Sequence, residues 1–355
     1  MAYVKKQAAK YSILSYMLNH GNTSKVELSK QLNISMPTVL SNVNELIDSG
    51  VVTEKGEMES TGGRKAVEIG LAGDYRYALG MDITPNHLGM VLVNMCGEIL
   101  KQDRIRMKFD TNITYYTELT EKLKEFYEPE VPSGKILGVG ISLPGIINQT
   151  EKMLVKSHAL HLENYSLKMF EQIAAMPVYY ENDANAAMLA ENPQKLRNSV
   201  YLSLNNTLGG AVCIDGVLFT GQNRKAGEFG HMILVPKGKK CYCGKVGCAD
   251  AYCAASVLTQ DGKERLEEFM ERVSADAEAG RVWEDYLEHL AILISNLRMS
   301  YDTDIILGGD VGGYLSDFMF ELGQKIFQYN LFDSDLSYLK TCSYRKEASA
   351  VGVAK

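Results

Sequence analysis

The sequence predicts an α/β protein: an N-terminal winged helix-turn-helix followed by two similar α/β lobes. Three observations carry this reading. Capped helices stand at helix-turn-helix spacing in the first seventy residues; the pattern changes to strands at Tyr75; and a strand–helix theme is then given twice. The boundaries it sets are 1–72 for the winged helix-turn-helix, 73–186 plus 340–355 for the first lobe, and 187–339 for the second. A chain of 355 residues is long enough for several cores.

The first helix is expected from about Ala8 to Asn19, before Gly21. Ser24-Lys25-Val26-Glu27 has capping-box spacing and starts a second helix that runs to about Leu32. Ser35 stands at the cap of a third, with Pro37 in its first turn, where a missing N–H costs nothing. Val39, Val43, Leu46 and Ile47 make one buried stripe, and Gly50 stops the helix. The opposite face carries Ser35, Thr38, Ser41 and Asn42, the candidates for base contact. Two short strands then flank a polar loop with Gly62-Gly63-Arg64-Lys65. In this order the third helix would enter the major groove of operator DNA, and Arg64 and Lys65 would reach phosphates or the minor groove. A three-helix interaction module with a solvated basic loop is the alternative.

In the lobes, "YRYALGMDI", "HLGMVLVNM" and "EILKQDRIRM" read as a three-stranded meander. A helix near 114–127, the buried strand "KILGVGISLPG" and a strand running into a helix in "MPVYYENDANAAMLAE" follow. The second pass uses "SVYLSLN", "GGAVCIDGVLFTG", a helical region from about 255 to 299, and "DIILGGDVGG". Two such lobes leave a cleft, the usual place for a ligand.

Composition excludes several classes. The formal net charge of −7 argues against a chain-wide nucleic-acid surface, while the charge balance of the first seventy residues permits a local DNA-binding role there without demonstrating it. No apolar run is long enough to span a bilayer, and the basic opening "MAYVKKQAAKYSIL" has no signal-peptide core, so no membrane partner and a cytoplasmic location are expected. In that reducing compartment seven cysteines are free or metal-bound rather than paired. His231, Cys241, Cys243 and Cys248 form His-x9-Cys-x-Cys-x4-Cys, four ligands of the kind tetrahedral zinc takes; free loop thiols are the alternative.

The segments "ISLPGIIN", "ENDANAAMLAE", "GEFGH", "CYCGKVGCADAY" and "IILGGDVG" together carry a resemblance to the ROK family of repressors, open reading frames and sugar kinases, over essentially the whole chain. The resemblance implies a two-lobed actin-like, ribonuclease-H-like fold. It implies a structural zinc on His231, Cys241, Cys243 and Cys248, with no open coordination position. His231 would bind zinc through one ring nitrogen and a sugar hydroxyl through the other. Asn182, Asp183, Glu228 and Asp250 would be further sugar contacts; Asp250 stands where the family usually has glutamate and reaches one methylene less. His158 and His161 fall where the family has pocket-edge residues. The "STGGRK" segment resembles the repressor branch, since the family's kinases lack the N-terminal domain.

In those kinases the counterpart of Asp183 is the general base, while glycine-rich turns cradle the nucleotide phosphates. Here the first turn reads Asp82-Ile83-Thr84-Pro85-Asn86 rather than Asp-x-Gly-Gly-Thr. The second, Asn205-Asn206-Thr207-Leu208-Gly209-Gly210, keeps only its latter half, and the third, at Gly308-Gly309, survives. Sugar contacts are thus retained while phosphate contacts are impaired. The expectation is a non-catalytic, sugar-responsive repressor acting as a homodimer or homotetramer on operator DNA. An active sugar kinase with an accessory DNA-binding domain, and a regulator controlled by another protein, are its rivals.

Overall fold

The computed structural model of the protein describes residues 2–57, 66–192, 196–260 and 262–355. Helix α1 spans Ala2–His20, beginning before the expected Ala8 because no Gly or Pro precedes it to break the turn. Helix α2 is Lys25–Gln31, and the Ser24 hydroxyl accepts from the Glu27 N–H at 3.1 Å. The reciprocal half of the capping box is missing, because Glu27 accepts instead from Gln31 one turn on, at 2.7 Å. Helix α3 is Met36–Asp48. Ser35 occupies its N-cap, but its hydroxyl pairs with that of Thr38 at 2.8 Å rather than with a backbone N–H. Ile13, Met17, Leu28, Val39, Val43 and Leu46 close the small core these helices share.

The wing has three strands where two were expected. Residues Thr23–Ser24 (β1) pair with β3 (Val67–Leu71), which also pairs with β2 (Val52–Glu57). The loop bearing Arg64 and Lys65 lies outside the described residues. Tyr75 and Met95 pack on the same core, so the winged domain is seated on the first lobe.

The first lobe contains β4 (Tyr77–Ile83), β5 (His87–Asn94), β6 (Ile99–Arg106), α4 (Ile113–Tyr127) and β7 (Ile136–Leu143). A small antiparallel sheet, β8 (Ile146–Asn148), β9 (Met153–Ser157) and β10 (Leu162–Ser166), then precedes α5 (Lys168–Ala174), β11 (Val178–Asn182) and α6 (Asp183–Ala190). The second lobe contains β12 (Ser199–Leu204), β13 (Leu208–Ile214), β14 (Val217–Leu218), a long helix Ala277–Tyr301, β15 (Asp304–Gly308) and β16 (Leu339–Thr341). The two main sheets run β11-β7-β4-β5-β6 and β14-β13-β12-β15-β16. In each, an antiparallel meander is extended from its first strand by two parallel strands, which is the repeat seen in the sequence.

The lobes exchange helices. Helix α6 leaves the first sheet and packs on β12 and β13, while the helix Ala348–Ala354 leaves the second sheet and packs on β4, β5 and β7. Gly80 and Gly140 are paired across β4 and β7, and a Cβ at either would fall 1.9 Å from a carbonyl oxygen, of Ala350 or Val353. Only glycine admits that helix so closely. The boundary expected at residue 340 shifts, because Lys340 and Thr341 pair with β15 in the second sheet. Among the described residues no helix is long and apolar enough to cross a membrane.

Candidate functional site

Between the lobes lies a cavity of about 320 Å³, and strand ends and tight turns build its wall. Asn182 ends β11 and caps α6: its Oδ1 accepts from the N–H groups of Ala184 and Asn185 at 3.0 and 3.1 Å, and its Nδ2 donates to Gly145 O and Asp183 Oδ1 at 3.0 and 2.9 Å. The cap therefore aims Asp183 into the cavity. Gly227, with φ +89, has Gly210 O 2.4 Å from where a Cβ would lie, so the turn before Glu228 presses against β13. Glu228 and His231 then enter the cavity from a 3-10 turn.

The structure brings together Asn182, Asp183, Glu228 and His231 of the expected sugar contacts. Asp250 does not join them. It is buried, and its Oδ1 accepts from the Leu208 N–H at 2.7 Å, which fixes the second turn from behind. A shorter side chain at the start of a buried helix reaches that N–H instead of the cavity. His158 lines the cavity and His161 does not. Sequence reasoning missed Tyr242, Glu181, Lys156, Arg224 and Lys225. Tyr242 had a signal, since a residue between two ligands two apart points away from the metal; Lys156 arrives from a separate hairpin and had none.

Burial raises the Asp183 carboxyl to about 7, with the nearby Asp82 carboxylate adding to the effect and the Ala184 N–H opposing it. Burial also raises Glu228 and lowers His231, keeping that imidazole neutral and fit to ligate. Glu181 is fully occupied, accepting from Gln149 Nε2, Tyr179 OH, Asn182 N and Asn185 Nδ2 at 2.8 to 3.0 Å.

Beside the cavity the ligand atoms of His231, Cys241, Cys243 and Cys248 all lie within 4.8 Å of one another. Cys241 Sγ is 3.9 Å from His231 Nδ1, and Cys243 Sγ is 3.8 Å from Cys248 Sγ. Zinc–sulfur bonds of about 2.3 Å at tetrahedral angles require an edge of about 3.8 Å, so the cluster fits a metal ion. The Nε2 of His231 faces the other way, 3.5 Å from Tyr242 OH and 3.9 Å from Glu228. One ring thus spans the cluster and the cavity.

A second cavity of about 430 Å³ shares Pro144, Ala159, Asp183 and Thr207 with the first and is lined by all three glycine-turn regions. Three N–H groups at these turns are already used. Thr84 N donates to His87 O at 3.0 Å and His87 N to Thr84 Oγ1 at 3.0 Å; Asp310 N donates to Asn205 Oδ1 at 2.8 Å. Asp82 accepts from Ser142 Oγ at 2.9 Å, and burial lifts its carboxyl to about 6.

On α3, Ser35 and Ser41 are exposed and Thr38 is half-buried, but Asn42 is buried, with 1% of its surface exposed. Three residues past Val39, it lies only about 60° round the helix from the core stripe. Its Nδ2 donates to Thr38 O at 2.7 Å, so it cannot read a base. The outward stripe instead adds Leu40 and Asn44, the latter held by Lys25 Nζ at 3.0 Å.

Two family profiles match the chain: ROK family over residues 78–355, and winged helix-turn-helix DNA-binding over residues 8–53. The xylose repressor of Caldicellulosiruptor bescii is 27% identical, over 94% of this chain and 91% of its own. A ROK family transcriptional regulator, homologous to the MLC protein of Escherichia coli, superposes with TM-score 0.78 at 22% identity, over 99% of this chain and 95% of its own. A ROK family glucokinase from Streptomyces griseus superposes with TM-score 0.65 at 21% identity, over 78% of this chain and 98% of its own.

Proposed function

The chain belongs to the ROK family, and from that premise we propose that it is a sugar-responsive transcriptional repressor that binds its effector between the lobes without phosphorylating it. One observation carries the reading: hydroxyl-binding side chains converge in the first cavity, while in the adjoining one the N–H groups of Thr84, His87 and Asp310 are bonded within the protein and Pro85 has none to offer. Phosphoryl transfer needs those N–H groups on the phosphates. The xylose repressor relative and the winged helix-turn-helix match point the same way.

Asp183 and Glu228 accept from vicinal hydroxyls and His231 contributes Nε2, while Asn182, whose own amide is fully bonded, holds Asp183 in place. His231, Cys241, Cys243 and Cys248 would hold zinc, which supplies rigidity and no chemistry, since four protein ligands leave no open position. The metal would thereby set the tautomer and tilt of His231 in the cavity.

Sugar and operator are coupled through α6. Its first turn carries Asp183, and just past its last turn Asn192 Nδ2 lies 3.4 Å from Asn19 O at the end of α1, which packs on α3. A sugar that prefers the closed lobes shifts this train and, in a homodimer or homotetramer, the separation of two recognition helices. Half-sites at fixed helical intervals then no longer match. Arg64 and Lys65 would add phosphate contacts from the wing.

The near-neutral value for Asp183 favours a second reading, a kinase with an accessory DNA-binding domain. Gel-shift titration on DNA flanking the gene, with and without a monosaccharide panel, together with sugar-dependent ADP release, separates the two. Sugar-modulated DNA binding without turnover is expected; ADP release at about 1 per second or faster would overturn the proposal.

A further inference from the structure

The first cavity holds three cations that the sugar contacts do not use. Lys156 comes from β9, and Arg224 and Lys225 from the turn that leads into Glu228. Among the described residues, none of the three side chains has an ion pair or a hydrogen bond. In the neighbouring cavity Arg345 lies over the Tyr314 ring at 5.9 Å, and the other three cations are ion-paired. Arg104 is paired with Asp82 at 4.0 Å, Arg265 with Glu268 at 3.4 Å and Lys346 with Glu267 at 2.7 Å.

The carboxylates of the first cavity do not neutralise them. Glu181 is occupied by four donors of its own lobe, none of them a cation. Asp183 has its Oδ1 held by Asn182 and the Ala184 N–H and forms no ion pair with any of the three. Only Glu228 feels Lys225, with no contact between them short enough to count as an ion pair. Arg224 is also held at φ +55, a left-handed conformation that favours glycine and that a side chain occupies at some cost. Arg224 is half-buried at the cavity wall, whereas Lys156 and Lys225 are exposed at its rim.

We propose that the effector is an anionic sugar, a sugar phosphate or a sugar acid, whose charged group is received by Arg224 with Lys156 and Lys225. This rests on the sugar-sensor reading above and narrows it. The planar fork of arginine meets two oxygens of a phosphate or carboxylate at once, and the two ammonium groups supply the remaining charge. The hydroxyls of the ring stay with Asp183, Glu228 and His231, so the ring and the charged group use different side chains.

The test uses the full-length, metal-loaded protein and isothermal titration with matched ligands on gluco, galacto and N-acetylgluco rings: the neutral sugar, its 6-phosphate and, for the first two, its uronate. Inorganic phosphate alone is the control. For at least one ring the charged form is expected to bind about tenfold or more tighter than the neutral form, with an advantage that shrinks between 0.05 and 0.5 M salt, roughly as screening requires. Phosphate against carboxylate decides the source of the charge. In Arg224→Gln, and in Lys156→Gln should the first variant fold poorly, the ratio of charged to neutral affinity is expected to fall toward one. Equal or tighter binding of the neutral sugar, or a ratio untouched in both variants, overturns the anionic assignment while leaving a sugar sensor in place. No binding by any sugar, charged or neutral, overturns both.

Discussion

Replacing Asp183 with asparagine should make the protein more stable and a worse sensor. The carboxyl moves from an ordinary 3.8 in the unfolded chain to about 7 in the folded one, chiefly because burial disfavours its charge. Above pH 7 the folded state must hold that charge while the unfolded state holds it in water; at about 1.4 kcal/mol for each pH unit the difference reaches about 4 kcal/mol. For a carboxyl with a raised folded value, stability is greatest below 3.8 and is lost as the pH rises through about 7. Asparagine escapes this, because its Oδ1 still accepts from Asn182 Nδ2 and the Ala184 N–H, now at 2.9 and 3.0 Å, and it carries no charge. Urea melts should place Asp183→Asn about 2–4 kcal/mol above the parent at pH 8, with a gain shrinking to about 1.5 kcal/mol at pH 5. Calorimetry with the effector should show affinity reduced about tenfold or more at pH 8, because a charged acceptor of hydroxyl donors has gone. Equal stability at pH 8, or a gain that does not shrink on acidification, would refute the account of Asp183.

Three further outcomes are expected. Metal analysis should find one zinc per chain, and Cys243→Ser or a strong chelator should remove it and weaken effector binding about 10–100-fold, because His231 loses its orientation. Gly80→Ala should cost about 2 kcal/mol or more in a denaturant melt, since its Cβ would lie 1.9 Å from the Ala350 carbonyl and backbone cannot yield as a side chain would. Ser41→Ala or Asn44→Ala should weaken operator binding by about 1–3 kcal/mol in a gel shift, whereas Asn42→Ser should change thermal stability and leave operator affinity within about twofold.

What could be read in the chain was local or periodic. Ser24 and Ser35 at helix starts, the alternating strands of the meander and its repetition all depend on neighbours within a few residues, so the main elements, their order and the doubled lobe followed directly, whereas the short β8–β10 sheet, α5 and the third wing strand did not. The His/Cys cluster was legible for the same reason: its four side chains fall on one loop, between His231 and Cys248, and close on themselves. The missing N–H in the Thr84-Pro85 turn was likewise visible, because it lies in the residue itself.

Other decisions needed residues far apart in sequence. Asp250 became a support for Leu208 N–H rather than a cavity wall, across 42 positions, and Asn205 met Asp310 N–H across 105. Asn42 turned inward because a helix stripe has width that only the packing of α1, α2 and β2 against it sets. Lys156 and Arg224 share a cavity only because the lobes face each other. Sequence by itself determined which groups exist and which local frames hold them; tertiary structure alone decided which buried donor each acceptor meets, since satisfying buried polar groups depends on distances that chain order does not carry.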